Sequence, residues 1–383
     1  MTSTLKKTIS FVCVTGLLLA CGVSGRAEIA SLNANQLFGI ASAYNNVFFG
    51  NYVGSYGDVE GHAAIGGNVV VNNYSFGAGQ QAQHPTGPVL VVGGNITSNG
   101  VGVYDGDAYI RGSSGGVDPL APMGTGPAAY NSRNPSYVGT PGQVYTGVTS
   151  LPFDFTVAKQ QLTQVASDLW AMENTTSGNW NYKSWYDPNT SLVSGFAEGY
   201  TVDLRGLTGL QVVTVDALVF QNLVQYQAGF FNIYANADTT LIINVTDVTG
   251  LGFLNFEKEI YINGHNGEEW SDSYTLPFNG SNVLFNVDDS VAKINVGNAE
   301  INASILAVES HFNVWQGHVS GQVFGASAET WDGGEFHAYY AFDDKHFPSS
   351  EPPAVTPEPA SVLIFGIGVA GAVGMIRRKK TGK

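Results

Sequence analysis

The sequence predicts a mainly β protein: a β-solenoid-like (parallel β-helix) body, one long flanking α-helix and a short C-terminal transmembrane helix. Three observations carry this. Short Val, Ile, Tyr and Phe runs recur between Gly-Asn or Gly-Asp turns, in a chain with 48 Gly, 12% charged and 44% hydrophobic residues. Helical periodicity is clear in one stretch, 155–172. An apolar run, 360–376, directly precedes a basic cluster. The composition is too hydrophobic for disorder and suits many short strands joined by turns.

The N-terminal element is a secretory signal over residues 1–27. Lys6 and Lys7 are its positive region, and Thr8 to Ala20 is almost wholly apolar yet short for a bilayer. Gly25-Arg26-Ala27 places small residues where signal peptidase reads, so cleavage is expected after Ala27. A competing reading is a lipobox at Leu18-Leu19-Ala20-Cys21, with lipid on Cys21. Cys13 and Cys21 are the chain's two cysteines. Cleavage after Ala27 therefore leaves no disulfide, thiol nucleophile or cysteine-based metal site.

The body, 28–345, opens with a weak repeat. Ala64-Ile65-Gly66-Gly67-Asn68-Val69-Val70-Val71 is echoed by Val91-Val92-Gly93-Gly94-Asn95-Ile96-Thr97, more loosely by Tyr104 to Ile110, and again by Val296 to Ile301. In each a β run meets a turn and a second β run follows. Glycine supplies positive φ without steric cost and Asn or Asp tolerates it. Coils turned this way stack into a solenoid in which each rung buries its face on its neighbours; a sandwich of hairpins is the alternative. Gly112 to Pro152, rich in Gly, Pro, Ser and Thr, reads as a long surface excursion. In the helix, Leu162, Val165, Leu169 and Met172 fall on one stripe, widened by Ala158 and Ala166, with Asp154 as N-cap. It should lie against the β core. The clearest later strands are 240–245, 283–287, 301–308 and 318–324.

A linker, 346–359, ends in Pro357-Glu358-Pro359. The apolar segment 360–376 is barely long enough to span the hydrocarbon core, and Arg377, Arg378, Lys379 and Lys380 in the tail 377–383 should stay cytoplasmic. These three parts in this order resemble the PEP-CTERM sorting signal. The resemblance implies a Gram-negative-type bacterium whose exosortase cuts near Pro357–Pro359. It implies an inner-membrane intermediate that ends at the cell surface or in the extracellular matrix, in company with exopolysaccharide and biofilm. A permanent uncut anchor is the other reading.

Three body segments line up with a second family: Phe48 to Tyr52 with Asp58 to Asn68; Phe153-Asp154-Phe155; and Ser304 to Ala307 with Gly317 to Val323 and Gly334 to His337. Together these resemble the choice-of-anchor A domain over most of 33–348. Val308 stands where that family has Pro. The resemblance implies no catalytic residues and no cofactor. The rungs with one flanking helix are also similar in architecture to ice-binding β-solenoid proteins.

Charge narrows the partners. Eight Lys and Arg remain between the two terminal signals, in 28–359, against all 31 Asp and Glu, a net charge near −23. Nucleic acid, which needs clustered cations, is excluded as an expected partner. Asp58, Glu60 and His62 alternate, as do Glu335 and His337, so each group should share a strand face. The set forms either a hydrogen-bonded network pinning two strands or a divalent-cation site. The pairs Asp288-Asp289 and Asp343-Asp344 read as turns. No Gly-x-Ser-x-Gly elbow or phosphate loop is present. Trp180 and Trp185, in a polar stretch, are candidate glycan-stacking residues. The expected function is a non-catalytic surface or matrix protein binding exopolysaccharide. A polysaccharide-acting enzyme is the second reading. Ice binding or adhesion ranks last, because Thr97, Thr201, Thr214 and Thr246 form no regular ladder.

Overall fold

A computed structural model describes residues 37–347 except 78–87, 104–105, 116–120, 123–142, 176–179, 186–196, 225–228, 259 and 264–277. The signal peptide, Cys21, Pro357–Pro359, the apolar run and the basic tail lie outside the described residues. No described helix is long and apolar enough to cross a membrane.

The strands form a parallel β-solenoid with three faces. A 20-stranded sheet wraps most of it and a four-stranded sheet completes one face at one end. Every pairing in the larger sheet is parallel; in the smaller one, Trp180–Trp185 against Ala197–Asp203 is antiparallel. One coil shows the plan. Asn46–Phe48 lies on the helix face. The first half of Tyr52–Val59 lies on a second, open face, and its second half on a third face. Ala63–Ile65 and Val69–Phe76 repeat this one rung on, then Leu90–Val92 and Ile96–Val103. The Ala64 and Val91 repeats are thus successive passes of one corner. The described part of the looser echo, 106–110, and the Val296 echo fall at other corners of the triangle.

The coils are not stacked in chain order. Val323–Trp331, in the last coil, pairs with Ser304–Trp315 on one side and with Asn46–Phe48 and Tyr52–Val59 on the other. The first coil therefore sits directly on the last. The chain winds away from this junction, crosses the molecule, and winds back from the far end.

The crossing is helix α1, Phe155–Trp170, capped by Asp154, whose side chain accepts from the Thr156 and Val157 amides at 3.0 Å each. Sixteen residues at about 1.5 Å rise cover about 24 Å, the height of five rungs at about 4.8 Å. Ala158, Leu162, Val165, Ala166 and Leu169 are buried as the stripe predicts. The helix lies against Ser304–Trp315, Val283–Val287 and Thr239–Thr246, whose Leu306, Leu284 and Ile242 are fully buried. Asn244 and Asn286 lie beneath the helix and fix its height. Asn244 Nδ2 donates to the Leu169 carbonyl (3.0 Å), and Asn286 Nδ2 to the Ala166 carbonyl (3.2 Å) and Asn244 Oδ1 (2.8 Å).

Several expectations change. A second helix, α2 (Leu218–Val224), takes a strand's place near the far end of the open face, its Phe220 ring stacked on Phe231 at 5.0 Å. Part of the supposed surface excursion is rung: Ser114–Gly115, Ala121–Pro122 and Val144–Thr146 all pair with earlier coils. The strands expected at 301–308 and 318–324 each run across a corner, and the chain divides there into Glu300–Ile301 and Ser304–Trp315, and His318–Val319 and Val323–Trp331. The Gly-Gly-Asn glycines do not have positive φ. They are required because adjacent backbones meet: a Cβ on Gly94 would lie 2.7 Å from the Gly67 carbonyl oxygen.

Candidate functional site

Two surfaces carry organised side chains. The first is the open face, across which no described element packs. Its rungs hold outward residues in register. The middle row runs Asn255, Asn295, Asn313, Glu329, Val53, Val70 and Thr97. Parallel rungs place like residues about 4.8 Å apart, so side-chain amides bond along the stack. Asn295 Nδ2 donates to Asn255 Oδ1 (2.7 Å), Asn313 Nδ2 to Asn295 Oδ1 (3.3 Å), and Asn99 Nδ2 to Asn72 Oδ1 (2.9 Å). A corner ladder borders them. Each Asn Oδ1 accepts from the next rung's amide: Asn51 from Asn68 (2.8 Å), Asn68 from Asn95 (2.9 Å) and Asn95 from Ser113 (2.9 Å). These ladders fix rotamers before any ligand arrives, which lowers the ordering cost of binding.

On the same face Trp315 and Trp331 pair across adjacent rungs and remain 47% and 40% exposed; Val70, two rungs beyond Glu329 in the middle row, is 48% exposed. Both rings stay open in a protein whose core fully buries Tyr52, Phe48 and Phe312. The tryptophans singled out from sequence, Trp180 and Trp185, lie on the antiparallel strand Trp180–Trp185, away from this face. Their side chains are outside the described residues. Trp315 and Trp331 were legible only through register: the two Asn-x-Trp and Glu-x-Trp endings are 16 residues apart.

The second surface is a histidine–glutamate ladder on the third face. Val59 pairs with Phe336, so the strands bearing Asp58 and Glu60 and bearing Glu335 and His337 are neighbours. Glu60 N donates to the Phe336 carbonyl (2.9 Å) and Glu60 Oε2 accepts from Ala338 N (3.3 Å). Asp58 is buried, and its carbonyl accepts from the Tyr74 hydroxyl (3.0 Å). The strand ends at Val59, the chain turns, and the His62 ring lies 6.4 Å from that of Tyr44.

The ladder extends into residues that the sequence reading missed. Glu300 pairs with His318, and His318 with Glu335. Glu300 Oε2 is 2.9 Å from His318 Nδ1, and Glu300 Oε1 is 3.7 Å from His337 Nδ1 and accepts from Ser320 Oγ. His337 Nε2 is 3.2 Å from Glu335 Oε2. Burial disfavours the Glu300 carboxylate, but the hydrogen bond with His318 and the nearby His337 imidazole outweigh it and bring its pKa to about 2. Burial likewise opposes charge on His337, yet bonds to Glu300 and Glu335 hold its pKa well above the ordinary histidine value. The available signal was the repeated polar–apolar–polar triplet, Glu300-Ile301-Asn302, His318-Val319-Ser320 and Glu335-Phe336-His337.

Residues 37–338 match the family model of ice-binding-like adhesive domains, and 355–379 match that of the PEP-CTERM protein-sorting motif. The body match is not specifically to choice-of-anchor A, and it brings the ice-binding and adhesive reading, ranked last from the scattered threonines, to the fore. The tail marks the chain for export to the surface of a Gram-negative-type cell and for processing by an exosortase. No curated protein matches the chain. Similar solved structures include an ice-binding protein from the Antarctic ascomycete Antarctomyces psychrotrophicus, at 11% identity over 78% of this chain and 96% of that one, with a TM-score of 0.32. Another is ice-binding protein 1 of Shewanella frigidimarina, at 13% identity over 80% and 95%, with a TM-score of 0.29.

Proposed function

We propose, because this chain belongs to the family of ice-binding-like adhesive domains, that it is a non-catalytic surface protein that adheres through the open face of its solenoid. The observation carrying this is the pre-ordered row of amides beside the exposed Trp315–Trp331 pair. Flat apolar rings stack on pyranose faces and fixed amides bond hydroxyls. The favoured ligand is a neutral or weakly charged glycan, such as the exopolysaccharide of a biofilm matrix. A charge near −23 between the two terminal signals suits neither nucleic acid nor strongly anionic polymers.

In this reading signal peptidase cuts after Ala27. The segment 360–376 holds the chain briefly in the inner membrane, and exosortase cuts near Pro357–Pro359. Asp58, Glu60, Glu335 and His337 serve a structural role, fastening the first coil to the last. A glycan-array screen of the purified protein tests the adhesive reading. Binding to a defined glycan class that is lost in Trp315→Ala/Trp331→Ala supports it, and absence of any glycan signal counts against it.

A second reading has its own observation. On the open face Val53, Val70 and Thr97, flanked by Asn51, Asn68 and Asn95, form a short uncharged patch that ends at Glu329, the next residue in the row. A rigid uncharged array at rung spacing is also a surface that can order water. Thermal hysteresis or ice recrystallisation inhibition by the purified protein, lost in Thr97→Tyr, would favour ice over glycan.

A further inference from the structure

We propose that Glu300, His318 and His337 form a site for one Zn2+-class divalent ion on the third face. It is independent of the adhesive reading. One carboxylate oxygen and one nitrogen from each imidazole all lie within 4.8 Å of one another. Tetrahedral bonds of about 2.0–2.1 Å set ligand–ligand edges of about 3.3 Å. The Glu300 carboxylate faces both rings, Oε2 at 2.9 Å from His318 Nδ1 and Oε1 at 3.7 Å from His337 Nδ1, so the three groups must draw together by about 1 Å to share one ion. Small rotations of the three side chains bring them onto one ion.

The surroundings match what such an ion needs. A metal-bound histidine characteristically gives its other ring N–H to a carboxylate, which sets the tautomer and the ring direction. His337 meets both conditions: Nδ1 faces Glu300, and Nε2 is 3.2 Å from Glu335 Oε2. Ser320 Oγ steadies the Glu300 carboxylate. The His337 side chain is 5% exposed and that of Glu300 12%, while that of His318 is 35% exposed. Two ligands are therefore held by the fold, and the third stands at the entrance. A fourth position is open to solvent on the His318 side.

Two imidazoles with one carboxylate select Zn2+ and its transition-metal neighbours over Ca2+ and Mg2+, which prefer all-oxygen shells. The ligands come from three successive rungs, Glu300–Ile301, His318–Val319 and the Glu335–Phe336 strand with the residue after it. The ion replaces the protons these atoms otherwise share. It ties together the rungs next to the junction where the first coil meets the last.

The test uses the purified protein, stripped with EDTA, dialysed and titrated calorimetrically with ZnCl2 alone. One Zn2+ per chain is expected, with a melting temperature raised by several degrees and a zinc-edge absorption spectrum showing two histidine nitrogens. His318→Ala changes the exposed ligand and should leave the fold intact while lowering affinity at least ~30-fold. Glu335→Gln should lower it about 10-fold by releasing the His337 ring. Ca2+ at the same concentration should not bind. Glu300→Gln is the direct variant, and His318→Ala decides the matter if that one fails to fold. Zn2+ affinity unchanged in His318→Ala, or no 1:1 binding to the folded wild type, overturns the assignment.

Discussion

Gly94→Ala separates two explanations of the Gly-Gly-Asn corner. If glycine were there for positive φ, alanine would cost about 1–2 kcal/mol of left-handed strain. The structure gives a different cause. A Cβ on Gly94 would meet the Gly67 carbonyl oxygen at 2.7 Å, its carbon at 2.8 Å and Asn68 Oδ1 at 2.5 Å. Restoring ordinary contact means parting two rungs by about 0.6 Å. That stretches Asn95 N to Asn68 Oδ1 from 2.9 Å and Val69 N to the Asn95 carbonyl from 2.8 Å towards the limit of a useful hydrogen bond. Two such bonds at about 1 kcal/mol each, plus looser packing between Val69 and Ile96, come to about 2–4 kcal/mol. Gly147 is the internal control, because it has φ of +66° and nothing within 4 Å of an added Cβ. Urea denaturation followed by tryptophan fluorescence should show Gly94→Ala losing at least twice what Gly147→Ala loses. Equal losses would refute the close-approach argument.

Other expectations follow from the same packing. Leu162 is fully buried under α1, so Leu162→Asp should cost several kcal/mol by burying an unpaired charge; a wild-type melting curve would show that the stripe does not pack. Asn286→Ala removes a donor from the Ala166 carbonyl and from Asn244 and should cost about 1–3 kcal/mol, read by thermal unfolding. Glu60→Ala deletes the acceptor of the Ala338 amide and should cost about 1 kcal/mol, and a neutral effect would argue against Glu60 as a fastener of the coil junction. In the native host, mass spectrometry of the surface fraction should find no peptide containing Arg377 to Lys380; their presence there would point to an uncut anchor.

Much of this architecture was legible because solenoid physics is local. Gly66-Gly67-Asn68 and Gly93-Gly94-Asn95 repeat because successive coils pass the same corner, and the α1 stripe repeats because it buries one side. Why glycine is needed there was not legible, since the clash partner Gly67 belongs to another rung. The site followed the same rule. Asp58, Glu60, His62, Glu335 and His337 were singled out by alternation within each strand, which does not reveal that the strand carrying Asp58 ends at Val59, before His62. Glu300 and His318 were missed because rung-to-rung register determines which residues stack, and coil length is irregular: Asn51 stacks on Asn68, 17 residues on, but Asn68 on Asn95, 27 residues on. The stacking of first coil on last is invisible to any sequential reading. Trp315 and Trp331 gave no sequence cue of exposure, since nothing in their own strands tells which face stays uncovered.

In the proposed function adhesion runs through the open face. Its most direct test is the binding isotherm of the purified protein on immobilised exopolysaccharide from the producing cells. Trp315→Ala/Trp331→Ala is compared with Tyr145→Ala, an exposed aromatic at the end of the helix face that stacks on Tyr109 at 4.8 Å. Two stacking rings at about 1 kcal/mol or more apiece correspond to at least a tenfold loss of affinity, with Tyr145→Ala unchanged. Wild-type binding by the double tryptophan variant, or an equal loss in Tyr145→Ala, would contradict the assignment of adhesion to this face.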